Sequence, residues 1–448
     1  MGFNSLLKFG GVFTVSSLLA WPQTAVQPIV LQDVRMIDGT GQPPRDHMQI
    51  TIEGSKITEI RSALLRIAFP PNAKILNLEG KTVMPGIIDG HGHLGLVKGI
   101  SVSPENYTPE NIESQLNQYE RYGVTTMISL GMNKDLLYRL KREQGEGQLG
   151  GAAILTADRG LGSPGGMPPV KVGPDQLYRP GTAEEARKDV DEMAERHPDL
   201  IKIWVDDSLG KLPKQTPEVY AAAIDETHKK GLRIAAHVYY QADAKGLVED
   251  GVDILAHSIR DEAIDAGTVT AIKSKAVYYI PTLQLEESFY AYADHPAWMD
   301  AAFFKSALSP ALAAQLASAE YRSKVESDPA TAVHKQAFQT AMANLKTLMN
   351  AGARISFGTD SGANPYRIQG WAEHRELELM VEAGMTPLQA IQSATAVNAE
   401  MLNIGGKTGT IEKGKQADLI VLDADPAVQI TNTRGIHMVF HNGKRVGQ

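Results

Sequence analysis

Between Val83 and Asp360, apolar runs of five to seven residues recur, most of them separated by longer stretches with helical periodicity. The runs are Val83 to Asp89, Val124 to Ser129, Ala153 to Ala157, Leu200 to Val205, Arg233 to His237, Asp253 to His257, Ala276 to Thr282 and Ile355 to Asp360. Helical text such as Ala183 to His197, Pro217 to Lys230 and Ala341 to Ala351 lies between them. Strands that alternate with helices pair in parallel, because a crossover helix returns the chain to the same end of the sheet. Eight such units predict an α/β chain folded as a closed (β/α)8 TIM-like barrel, with an open doubly wound sheet as the runner-up.

Both chain ends read differently. Ile29 to Leu31, Met48 to Ile52 and Lys56 to Ile60 are short β runs separated by turn residues at Asp38-Gly39-Thr40-Gly41 and Glu53-Gly54-Ser55. Gly414 to Asp423 and His437 to Lys444 repeat that texture, the second run closing on the Asn442-Gly443 turn. The two ends predict one small β-sandwich domain from residues 27–84 and 406–448, with the barrel over 85–405. A helical insertion over 286–335 follows the seventh strand and carries Phe289, Tyr290, Tyr292 and Trp298. It reads either as a lid over the barrel mouth or as a peripheral helical hairpin.

Composition narrows the chemistry. No cysteine occurs among the 448 residues, which removes disulfides, thiolate metal sites and a cysteine nucleophile. A net charge of −8 offers no basic surface for polyphosphate, so nucleic acid is not an expected partner. Residues 1–26 form a candidate leader: Lys8 precedes an apolar segment from Phe9 to Ala20, and Trp21-Pro22 ends it. That pattern predicts an exported protein, periplasmic or secreted; if the segment is no signal peptide, the protein is cytoplasmic. The segment is too short for a stable membrane span.

Pro85-Gly86-Ile87-Ile88-Asp89-Gly90-His91-Gly92-His93 ends an apolar run on two histidines separated by one glycine. In a strand, residues i and i+2 share a face, so both imidazoles turn the same way, and Gly92 is expected to give the rings room to converge. Alone, His-x-His reads equally as a surface pair. The other strands add to it: Lys202 lies within the fourth, His237 and His257 end the fifth and sixth, and Asp360 ends the eighth. A histidine or aspartate closing one strand is commonly a hydrogen-bonding cap. Six such residues at the same ends of five apolar strands point instead to a metal centre, and a lysine flanked by Ile201 and Ile203 is costly to bury unpaired.

Taken with Gly358-Thr359-Asp360-Ser361-Gly362, the stretch Glu376 to Pro387 and Gly414 to Asp423, this set resembles the amidohydrolase superfamily. The likeness is to its binuclear branch, related to prolidase-like and imidazolonepropionase-related proteins. It covers nearly all of the chain after the leader. The resemblance implies two divalent metal ions, zinc by preference: His91, His93 and Asp360 match the ligands of the more buried one, and His237 and His257 those of the second. It also implies that Lys202 is carboxylated on its amine and bridges the two ions. Deaminase-like members use one metal and place a glutamate a few residues beyond the strand-five histidine. Here Val238-Tyr239-Tyr240-Gln241 follows His237, which favours two metals and hydrolysis. Tyr239 matches a His-x-Tyr pattern whose tyrosine polarises the substrate or binds its carboxylate. Gly165-Gly166-Met167-Pro168 departs from the Gly-Gly-His segment that relatives often carry after strand three.

The implied reaction is attack on an amide carbonyl by a hydroxide bridging the metals, with Asp360 as both ligand and proton shuttle. Candidates for lining the substrate site are Tyr239, Arg159, Arg260, Asn364, Tyr366, Arg367, Trp371 and His374, all in or near loops at strand ends. An arginine there would hold a carboxylate by a bidentate contact; ordinary loop packing is the plain alternative for each. The expected partner is a small-molecule amide, an N-acyl amino acid or a dipeptide, and the expected state is a homo-oligomer. Lactams, carbamates, lactones, esters and phosphotriesters fit the same centre. A non-catalytic amidohydrolase-like assembly protein is the remaining reading.

Overall fold

The computed structural model describes residues 1–2, 27–65 and 67–447, so all but the first two residues of the expected leader lie outside the described residues. Parallel strands form at Ile87–Gly92, Val124–Ser129, Ala153–Thr156, Ile201–Trp204, Ile234–His237, Ile254–Ala256, Tyr278–Ile280 and Arg354–Ile355. The first three make one sheet and the last five another, each strand beside its neighbour in sequence. Parallel bridges from Leu161 to Ile203 and from Gly92 to Ser361 join the two sheets at both sides. Strands thus pair with their sequence neighbours within each sheet, and single bridges from the chain beyond the third and eighth strands link the sheets, an α/β arrangement of TIM-barrel type. The helices between follow local rules. In Pro109–Arg121 the Thr108 side chain accepts the Asn111 amide, proline opens the first turn, and Ile112, Leu116 and Tyr119 turn one buried face inward.

The eighth strand is shorter than its apolar run. After Arg354–Ile355 the backbone turns to the end of the first strand, and Asp360 takes a left-handed φ of 59° that an extended strand cannot hold. Gly90 N donates to Phe357 O at 3.1 Å, Asp360 N to His91 O at 2.6 Å, and His93 N to Ser361 O at 2.7 Å. The two segments lie so close that glycine is required on both. A Cβ on Gly90 would sit 2.6 Å from Phe357 O, one on Gly358 2.7 Å from the His91 Cβ, and one on Gly362 would collide with His93 O. Asn398, fully buried, laces the same seam: its Nδ2 donates to Ile88 O and Phe357 O, both at 2.7 Å, and its Oδ1 accepts the Phe357 amide at 3.0 Å.

The terminal strands share one ladder. Ile29–Met36 pairs with Arg45–Glu53 along one edge, and along the other with Lys74–Asn77 and then Thr82–Pro85. Thr82–Pro85 pairs in turn with Leu419–Leu422, which brings in the other chain end. Hydrogen bonding therefore makes a single eight-stranded sheet, where the sequence suggests the two sheets of a sandwich. Leu31, Ile50, Val83, Leu419, Val421 and Phe440 form a core of its own. The segment over 286–335 is helical, with helices at Ala302–Lys305, Pro310–Ala317 and Ala319–Ser327 leading into Ala330–Ala351. Its Tyr292, Phe304 and Leu312 cluster with Tyr122, Ile368 and Trp371 of the main body. Among the described residues no helix is long and apolar enough to cross a membrane.

Asn398→Ala would leave the Phe357 amide without its acceptor and remove one donor each from Ile88 O and Phe357 O in a buried seam. The expected loss is about 2–4 kcal/mol of unfolding free energy, measured by urea denaturation. A loss under about 0.5 kcal/mol, the level of an ordinary surface substitution, would show that the seam holds without it.

Candidate metal centre

The ends of five strands deliver buried donors to one pole. His91 Nε2 lies 3.2 Å and His93 Nε2 2.9 Å from the same oxygen, Asp360 Oδ1. The His91 and His257 rings are 4.5 Å apart between centroids, and those of His257 and His237 4.3 Å. Ligand atoms of His91, His257 and Asp360 all fall within 4.8 Å of one another. Donors about 2.1 Å from a tetrahedral ion stand roughly 3.4 Å apart, so these spacings suit groups gathered around an ion. His257 and Asp360 both hold left-handed backbone conformations, with φ of 85° and 59°. Such strain in non-glycine residues collects where a side chain must be aimed.

Electrostatics prepare the donors. Burial, followed by the nearby charge of Lys202, holds His91 well below the usual imidazole range. Burial and then His237 do the same for His257, and His237 is lowered by burial against the pull of Asp206. Neutral imidazole is the form that binds a metal. For Asp360, burial would raise the carboxyl, but Arg367 and the two histidines more than offset it and keep it ionised. Lys202 is wholly buried, its Nζ has no hydrogen-bond partner, and burial brings its amine down to about 7 against the opposing charge of Asp360.

Gly92 also faces a buried polar layer. Its φ is not in the left-handed region, and an added Cβ would meet the Tyr119 hydroxyl at 2.8 Å and Asp89 Oδ2 at 2.9 Å. The glycine makes room behind the strand for a buried polar layer. There Thr359 Oγ1 lies 2.8 Å from Glu373 Oε1 and 3.3 Å from Asp89 Oδ2, and Asp89 Oδ1 accepts the His91 amide at 3.0 Å. Burial, and then the charge of Glu373, pushes the Asp89 carboxyl well above its usual range; burial raises Glu373 as well.

The loop candidates divide. Arg367 Nη1 bonds Asp360 Oδ2, and its guanidinium lies 5.3 Å from the centre of the Phe289 ring. Arg260 covers the half-buried Tyr239 ring at 4.6 Å, donating to Glu286 Oε1 at 2.7 Å and to Val238 O and Ser258 O. Asn364 Oδ1 caps its own turn by accepting the Tyr366 amide, and the Tyr366 hydroxyl accepts from Gln315. Arg159 is spent on packing, with bonds to Asp158, Asp135 and Pro174 O. Trp371 and His374 do not line a mouth. Trp371 is enclosed by Trp298, Phe304 and Arg434, while the ring nitrogens of His374 contact Thr433 Oγ1 and Tyr122 O. Burial takes that imidazole down to about 4.

Two residues that the strand-end reading passed over touch the centre. Asp206 Oδ2 lies 2.8 Å from His237 Nε2, and Thr282 Oγ1 lies 2.8 Å from His257 Nδ1. Asp206 is lowered to about 2: burial raises it, and the bond and charge of His237, the Ser208 amide and the charge of Arg260 together outweigh that. Its sequence signal is its place, just beyond the end of the fourth strand.

This fold and donor set are those of a metal-dependent hydrolase. The chain belongs to the amidohydrolase family, whose sequence pattern matches residues 82–446. An uncharacterized protein of Mycobacterium tuberculosis strain H37Rv is 23% identical over 406 residues, covering 87% of this chain and 90% of that protein. A Xaa-Pro dipeptidase with methionine bound in its active site superposes with a TM-score of 0.75 at 23% identity, over 94% of this chain and 100% of that one. A putative prolidase from Bifidobacterium longum gives 0.75 at 24% identity, over 95% of both chains.

Gly92→Ala is expected to destabilise the protein by about 1–3 kcal/mol through overpacking against the Tyr119 hydroxyl. Tyr119→Phe in the Gly92→Ala background should recover part of that loss. A double-mutant cycle by denaturant unfolding reads the coupling, and strictly additive losses would place the clash elsewhere.

Proposed function

We propose that the protein is a binuclear metal-dependent hydrolase that cleaves the amide bond of an N-acyl amino acid or dipeptide. Lys202 carries the reading: a fully buried amine without a hydrogen-bond partner, whose charge is felt by His91, His237 and His257. Left as an amine it is an unexplained cost. Carboxylated, it becomes an anionic donor that two ions can share, and with the amine brought to about 7 a large part of it is the neutral form that adds to carbon dioxide. His91, His93 and Asp360 would hold one divalent ion and His237 and His257 the other, with zinc the metal best suited to imidazole and carboxylate donors.

Bound there, two such ions supply a water acidic enough to ionise near neutral pH and a Lewis acid for the carbonyl. Asp360 takes the proton of the attacking water. As the new C–O bond forms and the C–N bond breaks, it returns that proton to the leaving nitrogen, so the amine departs neutral. Tyr239, with Arg260 over its ring, would hold the carbonyl or a substrate carboxylate. Arg367 keeps Asp360 ionised until the proton arrives. The likeness to a dipeptidase and a prolidase supports a substrate of peptide kind.

Purified protein should carry about two divalent ions per chain, and Asp360→Asn should keep the fold while kcat falls by about 10²–10⁴. The substrate is sought by screening N-acyl amino acids and dipeptides with the zinc-loaded enzyme. Lys202→Ala should lose metal and activity together, and formate or acetate should restore a fraction of both by supplying the missing carboxylate. Full activity in metal-free protein would sink the mechanism; metal retained in Lys202→Ala would sink the role of the lysine.

A further inference from the structure

Each imidazole has two nitrogens, and the partner of one decides which is left for an ion. The four histidines of the centre are not treated alike. His91 and His93 turn Nε2 toward Asp360, and their Nδ1 atoms are buried without hydrogen-bond partners. His257 is held at Nδ1 by the Thr282 hydroxyl. His237 is held at Nε2 by Asp206, making it the one histidine of the four with a carboxylate contact outside the ligand set. Both side chains of that pair are under a tenth exposed.

We propose that Asp206 is the positioning residue of the second metal site, fixing His237 by Nε2 so that Nδ1 is the nitrogen presented to the ion. This inference rests on the two-metal reading above. Asp206 is itself held in place. The Ser208 amide donates to its Oδ1 at 2.8 Å, and the Val205 amide donates to His237 O at 3.1 Å, tying the loop to the end of the fifth strand. The carboxylate therefore meets the ring from a fixed frame, and the ring cannot flip without breaking a short buried bond. A carboxylate partner on the far nitrogen also makes the near one a stronger donor. Asp206 sits at the fourth strand, whose Lys202 would bridge the ions, and its contact reaches His237 on the fifth. One strand end thus contributes both a bridging group and an orienting one.

The test compares wild type, Asp206→Ala and Asp206→Asn as full-length protein. Each is stripped with a chelator and titrated with zinc alone by calorimetry, with bound metal counted by mass spectrometry and the metal-free forms melted. Wild type should take two equivalents. Asp206→Ala should keep the first near wild-type affinity and bind the second about 10–100-fold more weakly. Asp206→Asn, which retains an acceptor for the Nε2 proton, should recover most of that loss, and the three metal-free forms should melt within about 2 °C of one another. Two equally tight equivalents in Asp206→Ala would overturn the inference alone. So would Asp206→Asn as weak as Asp206→Ala, which would make the carboxylate a direct ligand, or a metal-free Asp206→Ala melting far below wild type, which would make it a structural brace. A wild type holding a single equivalent would overturn the two-metal reading, and this inference with it.

Discussion

Everything at the metal pole depends on the backbone contact between the end of the first strand and the chain after the eighth. The bonds that join the first strand to the chain after the eighth, between Gly90 and Phe357, His91 and Asp360, and His93 and Ser361, are also those that set His91 and His93 against Asp360. Contact and ligand placement are one event. Its requirements are visible on both segments: glycines at 90, 358 and 362, where no Cβ fits, and a left-handed Asp360. Asn398 contributes three hydrogen bonds to the same seam, so a residue far along the chain secures a contact between the first and last strands.

A pole that gathers imidazoles and an amine in a buried space cannot let all of them carry protons. The arrangement resolves this by neutrality. Burial keeps His91, His237 and His257 uncharged and draws Lys202 toward its neutral form, while Asp360 remains an anion beside Arg367. The result is a set of lone pairs beside the carboxylates of Asp360 and Asp206, which is what a divalent cation requires. Behind the first strand the logic is reversed. Asp89 and Glu373 are pushed toward their protonated forms, and the hydroxyl of Thr359 lies between them. That layer packs behind the strand.

The parallel strands and the six candidate ligands were legible in the sequence because each rests on local pattern: an apolar run, and a donor within it or at its end. What was not legible depends on pairing between distant segments. Asp206 touches His237 only because the fourth and fifth strands register Trp204 beside His237, and nothing in either run announces that register. Asn398 lies in text without any metal-ligand signature. Trp371 and His374 were misplaced for a different reason. Residues Trp371 to Met380 of their helix are all buried, so no polar face marks which side turns to solvent or to the site. The chain ends showed their β texture but not their sheet count, because the pairing of Thr82–Pro85 with Leu419–Leu422 spans most of the chain.

The insertion between the seventh strand and Ala330–Ala351 is bound to the site through its feet. Glu286, at its start, accepts from Arg260 at 2.7 Å and contacts His334 Nδ1, near its end, also at 2.7 Å. Phe289 stacks on His334 with ring centroids 3.8 Å apart, and the guanidinium of Arg367 rests on the same phenyl ring. One carboxylate thus neutralises the arginine that covers Tyr239 and clasps the two ends of the insertion together. A segment pinned at both feet can swing only between them. The contacts that join Arg260, Glu286, His334, Phe289 and Arg367 hold those two ends together.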